Sequence, residues 1–515
     1  MCGIALLGGP CAAHDGVAAS LVRAIARRGP DALTHTTVPL AAHTAHVAAS
    51  VLGLRGAGVT RQPLHDEASH LLFAWNGEVF GGDKDPIPLA ENDAAVLFSR
   101  ILAHGPDWEA ALVATLAHVE GPYAFLLLDT LHGNVWYGRD PLGRRSLLRT
   151  SVPGCIASVA TPEAMAAGLA FEEVPCATLW RTDLVTHTPV VRHAPLATRL
   201  VVSPAVHADD DDDALDTFAA LLSESVARRV SHIRSAPTQR ADDAHVAVLF
   251  SGGLDCTVLA ALADAHVPPA QAIDLVNVAF ENPRTLAAHA RETYAVPDRL
   301  TARASAAELR TRAPHRRWRL VEVDVPYATY TAHLDHIRTL LAPCTSVMDL
   351  SIAAALYFAA RAEGHVDGAA YTSPARVFLS GLGADELLGG YARHRQAFRR
   401  GHWDALCAEL QLDLDRLPTR NLGRDDRVIS DLGREARFPY LARPVLAAVC
   451  AMPLATKADL APGTEGTGDK RLLRRLAHRL DIESAARLPK RAIQFGARSA
   501  KLDAASARRK GSDAL

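Results

Sequence analysis

A chain that opens Met1-Cys2-Gly3-Ile4 carries a thiol at its amino terminus once the initiator methionine is removed. A free α-amino group titrates near pH ~7.7–8.0, so it takes a thiol proton directly or through one water. The resulting thiolate attacks an amide carbonyl, and no histidine is needed. Asn76-Gly77-Glu78 directly follows the apolar run Leu71–Trp75. There an asparagine side-chain amide and a glycine N–H both suit a developing oxyanion. Asp93, in Glu91-Asn92-Asp93, is an acid placed to hold an α-ammonium group, and Arg27-Arg28-Gly29-Pro30-Asp31 is a turn with fixed positive charge. Arg55 lies in Leu54-Arg55-Gly56 between strand-like runs. Singly, such residues only satisfy turns. In this order they point to amide hydrolysis.

A second chemistry begins at Ser251-Gly252-Gly253-Leu254-Asp255-Cys256, between the run Val246–Phe250 and a helical pattern over Thr257–Ala265. Strand, glycine turn and helix start make an anion site, because glycine lets the backbone approach phosphate and the first helical N–H groups carry partial positive charge. No GxxxxGK[ST] loop occurs. The same grammar recurs at Val377–Leu379, followed by Ser380-Gly381-Leu382-Gly383-Ala384-Asp385-Glu386. It places Asp385 at the C-terminal edge of a parallel sheet, where open α/β sheets bind ligands.

The elements that position these residues divide the chain. Up to about residue 198, short apolar runs bounded by turn residues predict strands at Leu71–Trp75, Ala124–Leu128 and Asn134–Tyr137, with helices over Val17–Arg28 and Ala94–Ala103. An acidic linker over residues 199–214 contains the run Asp209–Asp213, read as a solvated linker or helix start. From Leu215 to about residue 505, Val246–Phe250, Val276–Phe280, Leu320–Val325 and Val377–Leu379 alternate with helical stretches, which predicts a parallel sheet wrapped by helices. Residues 506–515 are expected to be a flexible tail. The net charge of −2 excludes a global basic surface for nucleic acid. Eight scattered cysteines with no CxxC pair argue against zinc and fit a reducing compartment. No apolar run of about 18 residues suggests a membrane span, and no leader pattern is seen, so a cytoplasmic protein is expected.

The amino-terminal set, together with Glu120-Gly121-Pro122-Tyr123-Ala124-Phe125 and Gly138-Arg139-Asp140-Pro141-Leu142-Gly143-Arg144-Arg145, resembles the class II glutamine amidotransferases. That resemblance implies an α+β, αββα N-terminal nucleophile domain over 2–198. Cys2 would be its nucleophile, Asn76 and Gly77 its oxyanion hole, and Arg55, Asn76, Glu78 and Asp93 its glutamine-binding residues. The second half, with Arg424-Asp425-Asp426-Arg427, Glu435-Ala436-Arg437-Phe438-Pro439-Tyr440-Leu441 and Pro489-Lys490-Arg491, resembles the asparagine synthetases. It implies an α/β adenine-nucleotide α-hydrolase-like domain over 215–505. ATP would be held by Leu249, Ser251, Gly252, Gly253, Asp255, Cys256, Ser380 and Gly381, with Mg²⁺ on Asp255 and Asp385 and Lys490 as catalytic lysine. The implied substrates are glutamine, aspartate or a related carboxylate, and ATP; the implied reaction makes asparagine with release of AMP and pyrophosphate. A homodimer is compatible with this resemblance.

The match has three departures. Leu382 stands where asparagine synthetases usually carry glutamate, Ala384 where they carry serine, and Cys256 replaces the last serine of the pyrophosphate loop. Pro343–Ser351 also lacks the threonine- and arginine-containing character of the aspartate site. Two alternatives therefore stand beside asparagine formation: amidation of another carboxylate, or a non-catalytic regulatory homologue that binds nucleotide.

Overall fold

The computed structural model describes residues 2–9, 16–40, 44–82, 86–88, 90–151, 153–186, 188, 191–197, 199–207, 211–283, 294–464, 466–500, 502 and 510–515. In the first half two six-stranded antiparallel sheets stack face to face. One runs Phe171–Glu173, Leu148–Thr150, Cys155–Ala157, Cys2–Leu7, Thr44–Val51, Ala32–Pro39; the other runs Val191–Pro195, Thr178–Asp183, Asn134–Arg139, Tyr123–Asp129, Leu71–Gly77, Leu64–Asp66. Their inner faces meet through Ile4, Leu6, Val47, Leu72, Ala124 and Tyr137, all buried. Helix Val17–Arg28 covers the first sheet with Leu21 and Ile25. Helices Asp93–Leu102 and Trp108–His118 cover the second through Leu97, Ile101 and Leu112. The layers are therefore α, β, β, α, as expected.

The second half is built on a seven-stranded sheet in the order Ala369–Thr372, Glu363–Val366, Trp318–Val325, Ile273–Phe280, Val246–Leu249, Val377–Leu379, Glu435–Arg437. The last five strands of that order pair in parallel, and the first two form an antiparallel hairpin on the edge. After Val246–Leu249 the chain moves to one side of that strand, and later returns to place Val377–Leu379 on the other. The sheet thus reverses its strand order between these two neighbours. Loops leaving the C-terminal ends of strands at such a point diverge and leave a crevice. Both glycine loops start there.

Two boundary expectations change. Helix Asp211–Val230 begins inside the span drawn as linker. The helix-start reading of the acidic run therefore holds from Asp211, and the exposed Asp212 and Asp216 pair with Arg475 and Arg479 on helix Arg471–Arg479. Residues 510–515 are not a free tail either. The N–H groups of Val347 and Met348 donate to the carbonyls of Asp513 and Gly511 at 3.0 Å, and Leu515 N–H donates to Thr345 at 2.7 Å. Main-chain hydrogen bonds need no sequence signature in the side chains, which hid this strap from composition. Among the described residues no helix is long and apolar enough to cross a membrane.

Candidate functional site

The amino-terminal cluster forms around strand Leu71–Gly77. Cys2 opens the first strand and its backbone pairs with Val51; its side chain lies outside the described part of the structure. Val51 lines a small cavity with Leu54, Arg55, Gly77, Glu78 and Asp93. The cavity measures about 20 Å³, room for a water. Asn76 and Gly77 end the strand, paired with Ala124 and Tyr123. A Cβ on Gly77 would lie 2.7 Å from the Pro122 carbonyl, so only glycine keeps the strand end closed. Asp93 starts its helix and accepts from Val79 N–H and Ala94 N–H, each at 3.0 Å. Burial pushes the Asp93 carboxyl up. Burial and the neighbouring Asp93 charge push Glu78 up to about 7. Arg55 is committed to a loop: it donates to the carbonyls of Val79 and Ile87 at 2.5 Å and of Pro88 and Glu91 at 3.1 Å, with Glu78 at 3.6 Å.

The second site is a cleft of about 450 Å³ at the strand-order reversal. Leu249, Ser251, Gly253, Asp255, Cys256, Ser380, Gly381, Asp385 and Lys490 all line it, whereas Gly252 does not and instead packs against Thr301 and Ala302. Gly252 has φ +76°, and a Cβ there would sit 2.4 Å from the amide nitrogen of Ala302. Gly381 carries its loop against the first: its Cβ would fall 2.9 Å from Asp255 Cβ. Cys256 points its thiol at the Gly253 carbonyl, 3.3 Å away, and burial holds that thiol protonated.

Sequence reasoning missed the residue that ties the two loops together. Lys470 is 3% exposed and places Nζ 2.7 Å from both oxygens of Asp255 and 2.7 Å from Asp385. Lys490 reaches the other oxygen of Asp385. Burial alone raises a carboxyl, but the two lysines outweigh it and hold Asp385 well below the usual range. The same carboxylates hold the Lys470 amine protonated. Lys470 has φ +53° and caps a helix. Nothing in the local sequence around Lys470 marks it, because its partners lie far away in the chain.

Nearby groups complete the walls. Glu386 accepts from Tyr391 Oη at 2.7 Å and from Gly383 N–H at 3.1 Å. Asp298 meets Arg491 at 3.4 Å and abuts the backbone of Gly496; burial pushes its carboxyl up to about 6. Leu382, Met348, Ile352 and Leu356 give an apolar lining. A hard divalent cation bound with nucleotide takes one or two carboxylates plus phosphate oxygens. The pair Asp255 and Asp385 fits that requirement, and no group of three His, Cys, Asp or Glu forms a metal cage among the described residues.

Between the two sites runs a buried arginine–carboxylate interface. Asp426 takes Arg28 at 2.6 Å and Arg145 at 3.5 Å. Arg427 and Arg139 share Glu173, each at 2.8 Å. Arg437 reaches Glu78 at 3.9 Å, and its carbonyl accepts from Ser380 N–H at 2.9 Å. The expected run Arg424–Arg427 therefore splits in function: Arg424 and Asp425 line the cleft, whereas Asp426 and Arg427 join the halves.

The glutamine amidotransferase domain model matches residues 1–175, and the asparagine synthase model matches residues 218–405 and 400–510. Asparagine synthetase domain-containing protein 1 of Gallus gallus is 33% identical, covering 98% of each chain. Its Homo sapiens counterpart is 31% identical over 98% of this chain and 96% of its own. A Saccharomyces cerevisiae asparagine synthetase domain-containing protein is 31% identical over 96% and 90%. With a relative 33% identical along nearly its whole length, and with both domain models matched, the chain belongs to the asparagine synthetase domain-containing protein 1 family.

Proposed function

We propose that this protein is a glutamine-dependent, ATP-consuming ligase that converts a carboxylic acid to its amide, with release of AMP and pyrophosphate. Asparagine formation from aspartate is the version that the family resemblance implies. The observation that carries the reading is the convergence of Lys470 and Lys490 on Asp255 and Asp385, beside the Ser251–Gly253 loop.

In this reading the Ser251–Gly253 loop and the start of helix Leu254–Asp264 hold the nucleotide phosphates. When bound, Mg²⁺ supplies charge neutralisation of pyrophosphate, with Asp255 and Asp385 as its protein ligands. Lys490, the more exposed of the two lysines, faces the charge that develops at the α-phosphate as the acid carboxylate attacks it. Lys470, buried and held protonated, fixes the two aspartates in one geometry. The acyl adenylate is then an electrophile that ammonia opens, where a free carboxylate is not.

In the amino-terminal half Cys2 attacks the glutamine amide and Asn76 and Gly77 stabilise the oxyanion. Because Arg55 is committed to the 79–91 loop, we assign it to building the pocket wall. Asp93 and Glu78 then recognise the α-ammonium group.

The test is pyrophosphate and AMP release by the full chain with ATP, Mg²⁺, glutamine and a panel of carboxylic acids. The reading expects equal amounts of both products, dependent on acid. ADP and phosphate as the products, or release independent of any acid, would refute it.

A further inference from the structure

Helix Val347–Arg361 is one wall of the nucleotide cleft, which Met348, Ile352, Leu356 and Ala359 line. The first N–H groups of a helix have no partner inside it. Here two of them are met from a distant part of the chain. Met348 N–H donates to the Gly511 carbonyl and Val347 N–H to the Asp513 carbonyl, each at 3.0 Å. Ala514 lies antiparallel to Ser346, and Leu515 N–H closes the contact on the Thr345 carbonyl at 2.7 Å. The third helical N–H is met locally, since Asp349 N–H donates to Ser346 Oγ at 3.1 Å.

This strap differs from ordinary packing in two ways. It buries almost nothing: Lys510, Gly511, Ser512, Ala514 and Leu515 are exposed, and only Asp513 is half-buried. It is held by main-chain hydrogen bonds, and such contacts open locally at low cost when little apolar surface goes with them. Its own turn is built internally, by Lys510 N–H donating to the Asp513 carboxylate at 2.7 Å. The contact also leads into the cleft. Ser346 Oγ donates to one oxygen of Asp349 at 2.5 Å, and the other oxygen accepts from Arg424 at 2.5 Å. Arg424 is buried and lines the cleft beside Asp425. A shift at the start of the helix therefore moves Met348 directly and Arg424 through Asp349.

We infer that residues 510–515 are a latch whose docking on Thr345–Met348 positions Met348 and Arg424 for the acceptor acid, so that acid binding and latch docking favour each other. This inference rests on the ligase reading and adds the element that holds its acid site. In that reading the phosphates and Mg²⁺ occupy the two glycine loops with Asp255 and Asp385. Met348 and Arg424 belong to neither loop, so their corner of the cleft is left to the acid. The coupling runs both ways because the strap and the acid act on the same helix start.

The test reads the strap and the acid site separately. Acid-dependent exchange of labelled pyrophosphate into ATP by the full chain with Mg²⁺, over a panel headed by aspartate, succinate and glutarate, first identifies an acid that is activated. With ATP and Mg²⁺ present, adding that acid is expected to slow amide hydrogen exchange at Val347, Met348 and Leu515 about fivefold. A chain ending at residue 509 is expected to raise KM for the same acid about tenfold while leaving KM for ATP within twofold. Gly511→Val keeps the strap but brings its Cβ to 3.3 Å from Met348 Cβ, and is expected to raise KM for the acid in the same selective way even if the shortened chain fails to fold. An unchanged KM for the acid in both variants, or KM values for acid and ATP raised together, would overturn the inference and leave the ligase reading standing. So would amide protection that the acid does not alter. Nucleotide binding without pyrophosphate exchange for any acid would overturn both.

Discussion

Asp426→Ala tests whether the two halves are held together by charge. Asp426 is fully buried and accepts from Arg28 at 2.6 Å, Ser146 N–H at 2.9 Å and Ser430 Oγ at 3.2 Å, with Arg145 at 3.5 Å. Arg28 is 1% exposed and has no second carboxylate among the described residues, whereas Arg145 keeps Glu435 at 3.2 Å. The alanine variant therefore strands one buried guanidinium. Breaking one side of a buried pair costs about 3–5 kcal/mol. Asp426→Asn keeps the shape and an acceptor and should cost less. Burial works to raise the Asp426 carboxyl, but Arg28 and Arg145 prevail and hold it below its ordinary value. The stability it contributes is thus complete above the unfolded carboxyl value of about 3.9 and is lost as pH falls through the lower folded value. Urea unfolding followed by tryptophan fluorescence should show the full penalty from pH 5 to pH 8, shrinking only below about pH 4. Calorimetry should split one transition into two as the halves uncouple. A penalty under about 1 kcal/mol at pH 7 would refute the argument.

Lys470→Met should lower acid-dependent pyrophosphate release about 10²- to 10³-fold, the effect of losing one preorganised cation, and ATP titration checks that nucleotide still binds. Cys2→Ala should abolish glutamine-supported turnover and leave ammonia-supported turnover intact, read by product analysis with each nitrogen source. Gly252→Ala, at φ +76° and with its Cβ 2.4 Å from Ala302 nitrogen, should cost about 2 kcal/mol or more and weaken ATP binding at least tenfold by calorimetric titration. Glu78 is held up near pH 7, against 4.5 for an unperturbed carboxyl, by burial and by Asp93. The folded state therefore binds a proton that the unfolded chain releases, and wild-type stability falls as pH rises from about 4.5 to 7. Glu78→Gln removes that dependence, so its stability relative to wild type should improve by about 2–3 kcal/mol between pH 5 and pH 8; parallel denaturation curves at the two pH values check this.

Much of this was legible because local chemistry and topology agree. Helix Val17–Arg28 has the expected bounds, since its apolar residues recur at helical spacing and Gly29 follows it. Strand Val377–Leu379 likewise matches, and the two glycine loops sit side by side because their parent strands are parallel neighbours. Lys470 was not legible. It lies 215 residues from Asp255 in the chain, and no periodicity reports a contact at that separation. Arg55 was legible as a site residue but not in its bonding, because its partners are backbone carbonyls, which every sequence supplies. The split of Arg424–Arg427 between cleft and interface follows from helical geometry once the helix Leu422–Ser430 is packed between them. The docking of 510–515 through main-chain bonds left no trace in composition.

The central claim is that nitrogen released in the first half ends in an amide made in the second. The most direct measurement feeds the full chain glutamine carrying heavy nitrogen in its side-chain amide, together with ATP, Mg²⁺ and the acid that best supports pyrophosphate exchange. Mass spectrometry of the product should find the heavy nitrogen in the new amide, in step with glutamate, AMP and pyrophosphate. Glutamate formed with no labelled amide, while ATP remains intact or yields ADP, would contradict the account.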